Sequence, residues 1–181
     1  NKIRGPQQPT DVHCTLLIGG RPQRAVRGQW FRTVEEFQKN LQGGRKLETG
    51  GLLSWDDQGD WAAVAGQFAQ AYDEGALKSC VRQLLFVRPD KLVVVDRLQA
   101  PSREPPDVQW LLQLPAEPKR EGNGLVASNG KSWIRCRPLL PGGAAPEVSP
   151  TAVRTHRATY SYPGKADRTL VHLLEMGDVA P

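Results

Sequence analysis

Three histidines, His13, His156 and His172, are the side chains of this 181-residue chain whose ordinary titration lies near neutral pH. A neutral imidazole can take a proton and an imidazolium can give one, so each is weighed first as a general acid or base. His13 stands just before a short apolar strand and beside a Gly-rich turn, a place from which an imidazole can face a cleft. His156 lies in the basic stretch Arg154-Thr155-His156-Arg157 and reads as solvated. His172 alternates with Leu170 and Leu174, which reads as a satisfied core or half-buried residue rather than a ligand. The five tryptophans, Trp30, Trp55, Trp61, Trp110 and Trp133, offer flat faces on which the C–H face of a sugar ring can stack. Core packing is the commoner use of Trp and is expected for Trp61 and Trp110. Cys14, Cys80 and Cys136 are too few and too widely spaced for a disulfide scaffold or a zinc site, though one pair could bridge. No Gly-rich phosphate loop, nucleophile elbow or metal-ligand spacing occurs, and no metal or other cofactor is expected.

The elements that must position these residues read as strands. Leu84-Leu85-Phe86-Val87 and Leu92-Val93-Val94-Val95 flank Arg88-Pro89-Asp90-Lys91, an antiparallel hairpin with a turn suited to Pro and Asp. The weak alternation of Leu92 to Val95 predicts a strand covered on both faces. Cys14 to Ile18 forms a short strand stopped by Gly19-Gly20 and Pro22. Gln29 to Phe37 reads as a strand edge or brief helical turn, and Asn40 to Gly51 as a flexible loop. Leu52 to Trp55 and Trp61 to Ala65 flank a turn, with Gln67 to Tyr72 a possible extension of the second strand. Val108, Trp110, Leu112 and Leu114 recur at period two and face inward. Leu125 to Ala127 and Ser132 to Arg137 form a hairpin around Asn129-Gly130. Leu139 to Pro150 reads as loop, and Thr169 to Glu175 as the last strand. About ten short strands, with 18 Gly and 15 Pro to turn the chain, predict one all-β domain over residues 1–181. The expected architecture is an antiparallel β-sandwich, supersandwich-like, with few or no helices.

The net charge of +5 permits an anionic partner, but the basic residues are scattered and no nucleic-acid motif occurs, so nucleic acid is not expected. No apolar run approaches a membrane span and no signal peptide is visible. The polar opening NKIRGPQQPTD reads as a cut inside a longer protein.

His13-Cys14-Thr15-Leu16-Leu17-Ile18-Gly19-Gly20-Arg21-Pro22-Gln23 resembles the HNTLLIDGxxQ segment in the β-sandwich part of heparinase II/III-like proteins. Gly59-Asp60-Trp61 to Ala71-Tyr72 is similar to that family's Gly-Asp, small-residue strand and Ala-Tyr. The hairpin resembles its RxxLFxxPDxxVVxD stretch, and Val108 to Leu112 its W-L-L-H strand. The order holds from about residue 12 to 175. The resemblance implies a β-sandwich that follows an α-helical toroid domain in a lyase of uronic-acid polymers, secreted or periplasmic. Such lyases work by β-elimination. A base removes the C5 proton, an acid protonates the leaving oxygen, and polar or cationic groups neutralise the carboxylate of the enolate-like intermediate. His13 is the catalytic candidate that the resemblance carries over. Arg21, Gln23, Trp30 and Tyr72 are the expected substrate-binding residues and an acidic polysaccharide the expected partner. Cys14 stands where the family carries Asn, and Gly19 where it carries Asp. Much of the family's machinery, a Tyr included, belongs to the helical domain, so the isolated chain is expected to be inactive. The alternative expectation is a non-catalytic carbohydrate-binding or structural module.

Overall fold

The computed structural model describes residues 10, 13–23, 50–101, 103–151 and 155–179. Twelve antiparallel strands form two sheets, and no α-helix occurs among these residues. The smaller sheet runs β1 (Leu16–Ile18), β6 (Val108–Leu114), β11 (His156–Tyr162), β10 (Glu147–Pro150) in that order. The larger runs β2 (Gly51–Asp57), β3 (Trp61–Gln67), β4 (Ser79–Val87), β5 (Lys91–Gln99), β12 (Asp167–Asp178), β9 (Ser132–Leu140), β8 (Gly124–Ser128), β7 (Lys119–Glu121). This is the all-β sandwich that the strand pattern predicts.

The two inner faces make the core. Leu16, Ile18, Val108, Trp110, Leu112, Leu114, Ala158, Tyr160 and Tyr162 come from the four-stranded sheet. Cys80, Val94, Leu98, Leu125, Cys136, Leu170 and Leu174 meet them from the eight-stranded sheet. The period-two pattern of β6 therefore reports burial correctly, and His172 is buried between Leu170 and Leu174 as expected. The β4–β5 hairpin sits in the middle of the larger sheet, and its Arg88–Pro89 peptide bond is cis.

Several expectations are corrected. Val93 and Val95 alternate away from the core and remain half-buried, and Leu92, on the core side, packs against it while half-buried too. Gln67 to Tyr72 does not extend β3: a 3-10 turn over Ala69–Ala71 follows, as the Gln67 side chain accepts from Ala69 N and Cys80 N and bends the chain inward. The stretch Leu139 to Pro150, expected as loop, contains the end of β9 and all of β10. His156 opens β11 and is half-buried, not solvated. Cys14, Cys80 and Cys136 are all free thiols. The readings of Gln29 to Phe37 and of most of Asn40 to Gly51, and the position of Trp30, lie outside the described residues.

Candidate functional site

β1 is an edge strand, and the way its edge is closed organises the site. Toward β6 its backbone pairs in the ladder, with Leu111 N donating to Thr15 O at 2.8 Å and Gly19 N to Asp107 O at 2.8 Å. The alternate carbonyls of Cys14, Leu16 and Ile18 point to the opposite side, where an edge strand leaves acceptors bare. Each is capped. Arg82 Nη1 donates to Cys14 O at 3.0 Å, Tyr72 Oη to Leu16 O at 3.0 Å, and Arg21 N to Ile18 O at 3.0 Å.

The last of these closes a reversal. Gly19 and Gly20 have φ of +59° and +70°, the pair of positive values that a two-residue type I′ turn requires and that L side chains rarely adopt. The chain folds back along β1, and Gln23 arrives beside Thr15, its Nε2 donating to Thr15 Oγ1 at 3.3 Å. Thr10 joins the two ends of the motif, for its carbonyl accepts from His13 N at 3.1 Å and its hydroxyl from Gln23 N at 3.0 Å. His13 is exposed, and Gln113 Nε2 donates to its carbonyl at 3.4 Å. His13 and Gln23 are thus brought together at one end of β1.

Arg21 follows the other end, while the Tyr72 hydroxyl sits at Leu16 O beside Thr15 and Gln23. A surface cleft of about 340 Å³ is lined there by Ile18, Arg21, Tyr72, Asp73, Glu74 and Glu104, among others. Arg21 is mostly exposed and pairs with Asp73 at 3.3 Å, an exposed contact worth roughly 0–1 kcal/mol. Tyr72 is 2% exposed. Burial pushes its phenol up to about 12, and its hydroxyl is held by Leu16. The cleft therefore carries three carboxylates and one paired guanidinium.

Behind β1 lies a buried polar network whose members the sequence does not flag as functional. Arg82 and Asp96 are register partners across the β4–β5 hairpin. Arg82 grips the fully buried carboxylate twice, Nε to Oδ1 at 2.7 Å and Nη2 to Oδ2 at 2.9 Å. Trp110 Nε1 adds a third donor to Oδ2 at 3.0 Å. Burial lowers the guanidinium pKa, and the charge and hydrogen bonds of Asp96 outweigh it, so the net shift is upward. These two residues are the Arg and the closing Asp of the stretch resembling RxxLFxxPDxxVVxD. Their equal distance on either side of Pro89 is the available signal.

Of the other histidines, His172 Nε2 lies 2.9 Å from Tyr162 Oη. Burial, then the Arg82 charge, lowers its pKa to about 3, so the ring is neutral. Of the tryptophans, Trp110 is core, Trp61 half-buried and Trp55 71% exposed on the edge strand β2. Trp133 lies against Gly177, with Arg135 over its ring at 5.7 Å. Among the described residues no group of three or more His, Cys, Asp or Glu is arranged to hold a metal ion. No described helix is long and apolar enough to cross a membrane.

The chain is a two-layer antiparallel sandwich whose edge strand β1 is preceded by an exposed His13, and the comparison with solved structures narrows the fold. The chain is similar to heparan sulfate lyase HepC from Pedobacter heparinus, with a TM-score of 0.66 and 11% identity over 95% of this chain and 25% of that one. It is also similar to a heparinase III structure, at a TM-score of 0.64 and 15% identity, covering 94% and 24%. It therefore has the fold of a heparinase III-like domain, in agreement with the resemblance read from its motifs. It spans about a quarter of the length of these solved chains. No family model and no curated protein matches it.

Proposed function

We propose that the chain is the β-sandwich domain of a polysaccharide lyase-like protein, forming one wall of a cleft for a uronic-acid-containing polysaccharide such as heparan sulfate. The observation that carries this reading is the fold likeness to heparinase III structures over 95% of the chain, joined to an exposed His13 at the head of β1. His13 takes or gives the proton of the β-elimination. Gln23, tied to the His13 segment through Thr10, orients or neutralises the substrate carboxylate, whose charge grows as the C5 proton leaves. Arg21, in the cleft at the other end of β1, binds an anionic group farther along the polymer. Trp30 stacks on a sugar face. Tyr72, with its hydroxyl held by Leu16, shapes the cleft wall. An upstream α-helical domain supplies the rest of the catalytic set, and the parent protein works outside the cytoplasm, secreted or periplasmic.

A second reading has one observation in its favour. Asp73, Glu74 and Glu104 line the same cleft as Arg21, which suits a neutral ligand better than a polyanion. It makes the chain a non-catalytic carbohydrate-binding or structural module. The purified domain should release no unsaturated uronate from uronic-acid polymers, and its parent should. Product from the domain alone overturns the need for a second domain; none from the parent favours the second reading.

A further inference from the structure

We propose that Arg82 is a positioning residue: clamped by Asp96, its guanidinium holds the Cys14 carbonyl and so fixes the backbone that presents His13. The argument starts from the edge. A strand of three residues, Leu16–Ile18, has little ladder of its own to stay ordered, and His13 lies three residues before its start. Bare edge carbonyls are satisfied by water at no cost and do not orient a strand. Here the outward-facing carbonyl next to His13, that of Cys14, accepts instead from an arginine that is itself immobilised.

The immobilisation is specific in geometry. Two parallel N–H···O bonds to one carboxylate fix the guanidinium plane as well as its place. Trp110 Nε1 fixes the carboxylate in turn. The third arm, Nη1, then points at Cys14 O without freedom to choose. Lys cannot reproduce this, since an ammonium has no plane with which to hold two directions at once. The network also spans the two layers: Arg82 and Asp96 belong to the eight-stranded sheet, Trp110 and the β1 edge to the four-stranded one. The His13 backbone is thereby referenced to the body of the sandwich, as a group that must meet a proton within hydrogen-bond reach requires. The role given to His13 rests on the proposed lyase reading; its fixation by Arg82 does not.

The test compares hydrogen exchange of the backbone over residues 13–18 in the wild type, Arg82→Lys and Tyr162→Phe. Tyr162→Phe loosens the same buried cluster at His172 but leaves Arg82 and Cys14 in contact. Arg82→Lys should speed exchange over 13–18 at least tenfold while residues 124–140 keep their protection, and Tyr162→Phe should leave 13–18 protected. Unchanged exchange over 13–18 in Arg82→Lys, or an equal rise in all strands, overturns the proposal. The double variant Arg82→Gln/Asp96→Asn leaves no buried charge and makes the same prediction if Arg82→Lys does not fold. In a parent protein that proves active, Arg82→Lys should lower kcat by about tenfold or more with KM within about twofold. An inactive parent defeats the lyase reading and leaves the exchange result standing; local fixation without any change in kcat overturns the positioning role.

Discussion

Trp110 and His172 stack with ring centroids 3.8 Å apart and planes 12° from parallel. Trp110 belongs to the four-stranded sheet and His172 to the eight-stranded one, so the stack is a contact between the two inner faces. Tyr160 and Tyr162 meet the same imidazole edge-on, at 5.2 and 6.1 Å. The indole also donates to Asp96. The middle of the core is thus aromatic and polar at once, and it responds to pH and to substitution in ways that an aliphatic core would not.

Stability should fall as pH drops from about 6.5 toward 3. The folded-state pKa of His172 is lowered to about 3 by burial, below its unfolded value of about 6.5. The unfolded chain binds the extra proton throughout that window, so the contribution is complete above it and lost as pH falls through it. His172→Gln, which keeps a partner for Tyr162, should flatten the pH dependence between these limits relative to wild type. Denaturant melts at several pH values check this. Parallel curves for the two proteins would show that His172 is not the group responsible.

Asp96→Ala should destabilise the domain by about 3–5 kcal/mol, because it leaves the Arg82 guanidinium in a largely buried place without its counter-ion. Trp110→Phe should cost less, about 1–3 kcal/mol, since it removes one donor to a charged acceptor and part of a stack. Equilibrium unfolding of the two variants gives the order. A loss under about 1 kcal/mol for Asp96→Ala would mean that the pair is solvated.

Gly124 and Gly130 separate two uses of glycine. A Cβ on Gly124 would lie 2.5 Å from the Cys136 carbonyl, a backbone atom that cannot swing aside. A Cβ on Gly130 would meet nothing, but its φ is +87°. Gly130→Ala should cost about 1 kcal/mol of backbone strain. Gly124→Ala must instead push β8 away from β9 and should cost more. Melting temperatures in one buffer suffice, and equal losses would contradict the close approach.

Leu52, Leu53 and Trp55 are 66%, 59% and 71% exposed on β2. Trp55→Ser should therefore change stability by less than about 0.5 kcal/mol, the usual range for surface substitutions. A loss above about 2 kcal/mol in the purified chain would show that something covers the indole.

Much of this architecture is legible in the residues. Pro89-Asp90 between two apolar runs marks the β4–β5 hairpin, and the period-two residues of β6 and β12 mark their buried faces. β11 has the same signal, with Ala158, Tyr160 and Tyr162 inward. It is masked by Arg154, His156 and Arg157 at its start, which read as a solvated segment. β10 is hidden among Pro and Gly because it is an edge strand, where Pro150 need not donate to a neighbour. Of the site, the His13 motif and the Gly19-Gly20 reversal can be read directly. The capping of alternate β1 carbonyls cannot. It depends on which way an edge faces and on a charged residue, Asp96, being wholly buried, against the ordinary habit of carboxylates.

The most direct measurement is turnover by the full-length parent carrying His13→Ala. Release of unsaturated uronate from uronic-acid polymers, heparan sulfate among them, should fall by at least about a hundredfold, in the range ascribed to one acid–base group, while the variant remains folded. Turnover equal to that of the wild type would contradict the assignment of proton transfer to this domain.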